Sequence, residues 1–182
     1  MPVATRIVAA RKAGISTALL AAFVATLCLK GGPTRADMAE EIIATSGVRA
    51  GLVVWVQRGD VEPTLTLARK TQALIHVLAI DAERVPALRQ RLAKEGLAGR
   101  VTVEAWKGGL LPLVDESVNL VVVEPPASVS DAEARRVLRP GGVLLVGSEG
   151  QQRKTVKPWP ADIDQWTHFL HDPSGNAVAS DR

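Results

Sequence analysis

Five short apolar segments recur down the chain, separated by stretches with helical patterning, and this alternation limits the fold more than any other feature. Residues 52–56 (LVVWV) are an unbroken, β-branched run, the mark of a strand covered on both faces. Residues 73–80 (ALIHVLAI) repeat the pattern and end at Asp81. Residues 100–105 (RVTVEA) alternate, 118–124 (VNLVVVE) are again continuous, and 143–147 follow the turn Arg139-Pro140-Gly141-Gly142. Between them, 64–71, 83–95 and 131–138 read as helices. In 83–95, Val85, Leu88 and Leu92 share one face and Gly96 closes the segment. A short helix over 37–46 precedes the first strand, with Asp37 at its cap, Met38, Ile42 and Ile43 apolar, and Gly47 at its end. Strands alternating with helices predict an α/β fold: a Rossmann-like, doubly wound, mostly parallel sheet of about five strands.

Residues 1–36 stand apart from this pattern and read as a signal peptide or membrane anchor. Arg6, Arg11 and Lys12 precede an apolar run of 17 residues, 13–29. A basic segment followed by such a run is the layout of an export signal. Thr34-Arg35-Ala36 places small residues where a cut after Ala36 would need them. The run sits at the short limit of a membrane span, so an uncleaved anchor is the main rival. Leu27-Cys28 hints at a lipoprotein site, although Leu27 is bulky there, and a buried core helix is the remaining reading. The first three expect export, to the periplasm or to its face of the membrane, with membrane contact only through this segment.

The charge distribution supports the division. The chain carries a formal +3, yet residues 1–36 hold five basic residues and no acid. The rest holds 17 basic against 19 acidic residues, a net −2, which removes the electrostatic basis for nucleic-acid binding. Aromatics are 3% and tyrosine is absent, which argues against stacking platforms for single strands. Cys28 is the single cysteine, so a disulfide framework and a cysteine-based zinc site are excluded. Residues 37–150 form the expected domain, and the aperiodic, proline-containing stretch 151–182 reads as a linker or lead-in to a further module.

An apolar strand ends in a loop with Gly59-Asp60, a second strand ends in Asp81, 22 residues after Gly59, and Leu138-Arg139-Pro140-Gly141-Gly142 leads into a later strand. In these three features and their order, residues 37–150 resemble a class I S-adenosylmethionine-dependent methyltransferase. The tail from Trp159 to Pro173 is similar to the lead-in of a β-propeller of the pyrroloquinoline-quinone-enzyme type, with which exported bacterial proteins combine such a domain. The resemblance implies S-adenosylmethionine as cofactor, a propeller as a partner module, and cofactor contacts at Gly59, Asp60, Asp81, Glu104, Trp106 and Glu124. Asp81 would accept from the ribose hydroxyls, where a carboxylate forms charge-assisted hydrogen bonds; the bland alternative is a helix cap. Trp106 would cover the adenine ring or serve as a core aromatic.

The loop departs from the family's Gly-x-Gly-x-Gly, since Gln57 and Val61 flank Gly59 in place of glycines. Gln57 adds a side chain where bare backbone is expected, and β-branched Val61 resists positive φ. Lys107 stands where an acid would hold the adenine amine, and a lysine cannot accept that proton. Glu124-Pro125-Pro126 ends in Ala127 where amino-group methyltransferases carry an aromatic. No residue declares itself as a catalytic base. His76, inside an apolar strand, reads as a satisfied core histidine, and His168 and His171 as a packed or solvated tail rather than metal ligands. Three functions are therefore carried forward. The first is a methyltransferase-type domain of unknown acceptor. The second is a non-catalytic structural or docking domain of an exported propeller protein. The third is a nicotinamide-dependent oxidoreductase, which keeps Asp81 but has the wrong loop.

Overall fold

The computed structural model describes residues 35–163, Phe169, residues 173–175, and Val178 and Ala179. Residues 1–34 of the expected export segment and the pair His168 and His171 lie outside the described residues; Arg35 and Ala36 already belong to the first helix, so Asp37 is not its cap. Helix α1 (Arg35–Ser46) leads into β1 (Leu52–Gln57), α2 (Val61–Lys70) and β2 (Leu74–Ala79). A single 3₁₀ turn (Ala82–Arg84) precedes α3 (Val85–Lys94) and β3 (Val101–Ala105). Then come β4 (Val118–Val123), α4 (Asp131–Val137), β5 (Leu138–Ser148) and β6 (Gln151–Val156). The sheet order is β3-β2-β1-β4-β5-β6, parallel throughout except for β6, which runs antiparallel to β5.

The expected doubly wound, mostly parallel sheet is present, with one strand more than expected. Residues 151–156 lie in the stretch read as a linker or lead-in; they pair with Val143–Ser148 and form the edge of the sheet beyond β5. The hydrogen bonds continue past the strand, where Gly141 and Lys157 donate their N–H groups to the carbonyls of Lys157 and Gly142. The β5 strand also begins earlier than expected, because Leu138 already pairs with Val118 before the ladder resumes at Leu120–Val143.

Alternation along the strands builds two cores. Trp55, Val77, Val103, Leu120 and Leu145 meet α1, α2 and α3 on one side. Val54, Val56, Leu78, Val121 and Leu144 meet α4, Trp106 and Leu111 on the other. Glu133 is 7% exposed on α4 and holds the second side together. It accepts from Arg136 at 2.6 and 2.9 Å and from the Leu111 N–H at 2.7 Å. Arg136 also donates to the carbonyls of Leu113 and Leu111 and pairs with Asp115, tying the β3–β4 loop to the helix.

The Arg136 hydrogen bond holds the Glu133 carboxyl below its ordinary value of 4.5, against the opposing effect of burial and with help from Leu111. A depressed carboxyl stabilises the fold above its unfolded value and loses that contribution as pH falls through the native one. The thermal midpoint of the wild type is expected to fall from about pH 5 to about pH 3, and Glu133→Gln to flatten that fall. Parallel slopes in scanning calorimetry would assign the acid sensitivity to other groups.

Candidate functional site

Three parallel strands end in polar residues on the α1–α2–α3 side of the sheet. Trp55, Ala79 and Val122 belong to that core, so the residues two positions further on, Gln57, Asp81 and Glu124, fall on the same side. In such sheets, ligands bind outside the carboxyl ends of the strands, where the strand order reverses. Here that point lies between β1 and β4, which pair as neighbours at the centre of the sheet.

Gln57 does not obstruct the tip in the way the sequence suggested. It is fully buried, its Nε2 donates to Thr64 Oγ1 at 2.8 Å, and its Oε1 accepts the Asp60 N–H at 2.9 Å. Thr64 Oγ1 in turn donates to the Asp60 carbonyl at 2.9 Å. The glutamine therefore lies beneath the loop and satisfies a free N–H at the start of α2, as a capping side chain would. Val61 avoids positive φ by being the first residue of α2, so only Gly59, at φ +100°, needs glycine here.

Asp60 is the N-cap residue of α2, yet its carboxylate caps nothing and accepts from Arg84 Nη1 at 3.0 Å. Asp81 precedes the 3₁₀ turn, also without a side-chain cap, and its Oδ2 lies 3.5 Å from Arg84 Nε. The capping alternative for Asp81 is thus not what the structure shows. Arg84, which is absent from the residues expected at the site, sits between the two carboxylates. Its spacing of three from Asp81 was the available signal. Glu124 accepts a hydrogen bond from the indole N–H of fully buried Trp55.

The other two expected contacts lie elsewhere. Glu104 projects from the opposite face of β3, where its Oε1 is 3.8 Å from His76 Nε2. His76 is half-buried beside it, its Nδ1 2.7 Å from Thr102 Oγ1, so it is partnered on a sheet face rather than enclosed in a core. Trp106 is 8% exposed, donates to the Leu110 carbonyl at 3.2 Å and packs with Leu78 and Leu111 as a core aromatic. Gly59, Asp60, Asp81 and Glu124 are therefore gathered at the carboxyl ends of β1, β2 and β4, whereas Glu104 and Trp106, at the same end on β3, belong to the other face of the sheet.

A cleft of about 160 Å³ opens between Asp60, Glu124, Met38, Pro63, Ser148 and Glu149. Larger hollows of about 360 Å³ lie beside β3 and beside α1, away from the tips. Among the described residues, no three His, Cys, Asp or Glu side chains are grouped to hold a metal ion.

The strand order and the acidic tips define the fold of the class I S-adenosylmethionine-dependent methyltransferases. Comparison with known proteins agrees. The chain is 32% identical over 116 residues to the methyltransferase GfsG of Streptomyces halstedii, covering 60% of this chain and 42% of that protein. It thus spans less than half the length of that curated relative. A SAM-dependent methyltransferase from Aquifex aeolicus superposes with a TM-score of 0.52 at 19% identity, covering 66% of this chain and 69% of that one. Geranyl diphosphate C-methyltransferase from Streptomyces coelicolor A3(2), solved with Mg2+, geranyl diphosphate and S-adenosyl-L-homocysteine, gives a TM-score of 0.55 at 14% identity, covering 60% and 44%. No family model matches the chain.

Proposed function

We propose that the domain binds S-adenosylmethionine across the tips of β1, β2 and β4 and serves methyl transfer. The observation that carries this reading is the placement of Gly59, Asp81 and Glu124 at the neighbouring tips of β1, β2 and β4, which flank the point where the strand order reverses. The likeness to methyltransferases in sequence and fold supports it. Asp81 has the chemistry for the ribose diol: an ionised carboxylate offers two acceptor oxygens. Gly59 leaves bare backbone beside it. When bound, the cofactor supplies an activated methyl group, so the protein's part is mainly to position an acceptor in line with it. Acceptor identity would depend on surfaces beyond the tips.

Asp81→Asn is expected to weaken S-adenosylhomocysteine binding about tenfold or more, in line with the loss of a charge-assisted bond pair. Calorimetry would measure it. Equal binding by both proteins would remove Asp81 from the site, and no heat from either at millimolar ligand would defeat the reading.

A second reading, a docking domain without cofactor, is favoured by one observation: Arg84 already engages the carboxylate that a ribose would need. The N-terminal charge pattern supports export in either case. Alkaline phosphatase fused behind residues 1–36 is expected to be active in bacteria, since that enzyme requires the oxidising periplasm. A silent fusion, stably produced, would place the domain in the cytoplasm.

A further inference from the structure

Arg84 does more at the strand tips than pair with an acid. The 3₁₀ turn that follows β2 carries its backbone back over Asp81, with the Arg84 N–H donating to the Asp81 carbonyl at 3.0 Å. Its stem then lies across Gly59: a Cβ built on that glycine would stand 3.1 Å from the Arg84 Cβ. The guanidinium ends between Asp60 Oδ1 at 3.0 Å and Asp81 Oδ2 at 3.5 Å. One side chain thus covers the bare backbone of the β1 loop and engages the carboxylate of the β2 tip. These are the two surfaces that an adenosyl group has to reach under the proposed function, on which this inference rests.

We propose that Arg84 is an autoinhibitory latch, closed in the free domain, that has to swing away before a ribose can reach Asp81. The side chain is half exposed, so it can move into water without breaking the core. A closed latch lowers apparent affinity by the fraction of molecules in which it is open. Two solvent-reached ion pairs hold it only weakly, so that fraction is small but not vanishing, and the penalty is about fivefold. Because the pairs are exposed, salt weakens the latch.

The test compares wild type with Arg84→Met, which keeps the stem's length and removes the charge. S-adenosylhomocysteine binding is measured by calorimetry at about 20 mM and about 500 mM salt. The variant is expected to bind about fivefold more tightly at low salt, with the gap closing at high salt. Equal or weaker binding by the variant at low salt overturns the latch and leaves the cofactor site standing. A tighter variant whose advantage is the same at both salts also overturns it, since the gain would then be steric. Absence of binding by both proteins defeats the proposed function, and the latch with it.

Discussion

Trp55→Ala is expected to cost about 3–5 kcal/mol and to leave the domain largely unfolded in mild denaturant. Trp55 is wholly buried in β1, which pairs with β2 on one side and β4 on the other. Its ring belongs to the core between the sheet and the helices on the first face, so truncation leaves a large cavity there. Trp55→Phe separates the two things the residue does. Most of the volume stays, so the packing loss is small, while the indole N–H that Glu124 accepts is gone. That change is expected to cost about 1–2 kcal/mol and to loosen Glu124 at the strand tip. Urea unfolding followed by far-ultraviolet circular dichroism measures both. If Trp55→Ala lies within about 1 kcal/mol of the wild type, the cavity argument fails. If Trp55→Phe matches the wild type, the bond to Glu124 contributes nothing net to stability.

The legibility of the fold followed burial. The apolar strands β1, β2 and β4 are covered on both faces, and such strands leave continuous apolar runs that survive in the sequence. By contrast β6 reads QQRKTV, with every residue exposed or half-exposed. An edge strand with one neighbour makes no demand on its side chains, so it leaves no pattern, and only the partner strand betrays it. The site divided in the same way. Asp81 and Glu124 were visible as acids at the ends of apolar runs. Glu104 was assigned with them, although Val101 and Val103 point to the first core and period-two alternation then sends Glu104 to the other face. Gln57 reads as an obstruction in one dimension because its partner Thr64, seven residues on, turns back beneath the loop only in three. Arg84 escaped notice for the converse reason: its contact with Asp60 spans 24 residues and exists only because β1 and β2 lie side by side.

The same edge sets the second large effect, at Gly147. This residue holds φ at +141°, open to glycine but strained for any other residue. It also stands where β5 turns toward β6, opposite Gln152 in the ladder. A Cβ there would lie 2.1 Å from the carbonyl oxygen of Gln151 and 3.1 Å from its carbonyl carbon. These are backbone atoms, so no rotamer change relieves the overlap; β6 has to shift or detach. Strain at the new dihedral and the forced displacement together amount to about 3 kcal/mol. Gly147→Ala is therefore expected to lower the thermal midpoint by about 10 °C and to abolish hydrogen-exchange protection in Gln151–Val156 while β1 and β4 stay protected. With β6 loosened, β5 presents an open edge, and an exposed edge of this kind recruits other chains. Concentration-dependent association of the variant in analytical ultracentrifugation is the accompanying result. A monomeric variant with β6 fully protected would mean that the hairpin accommodates a side chain at Gly147, and that the order of this edge rests on contacts other than the close passage of β5 and β6.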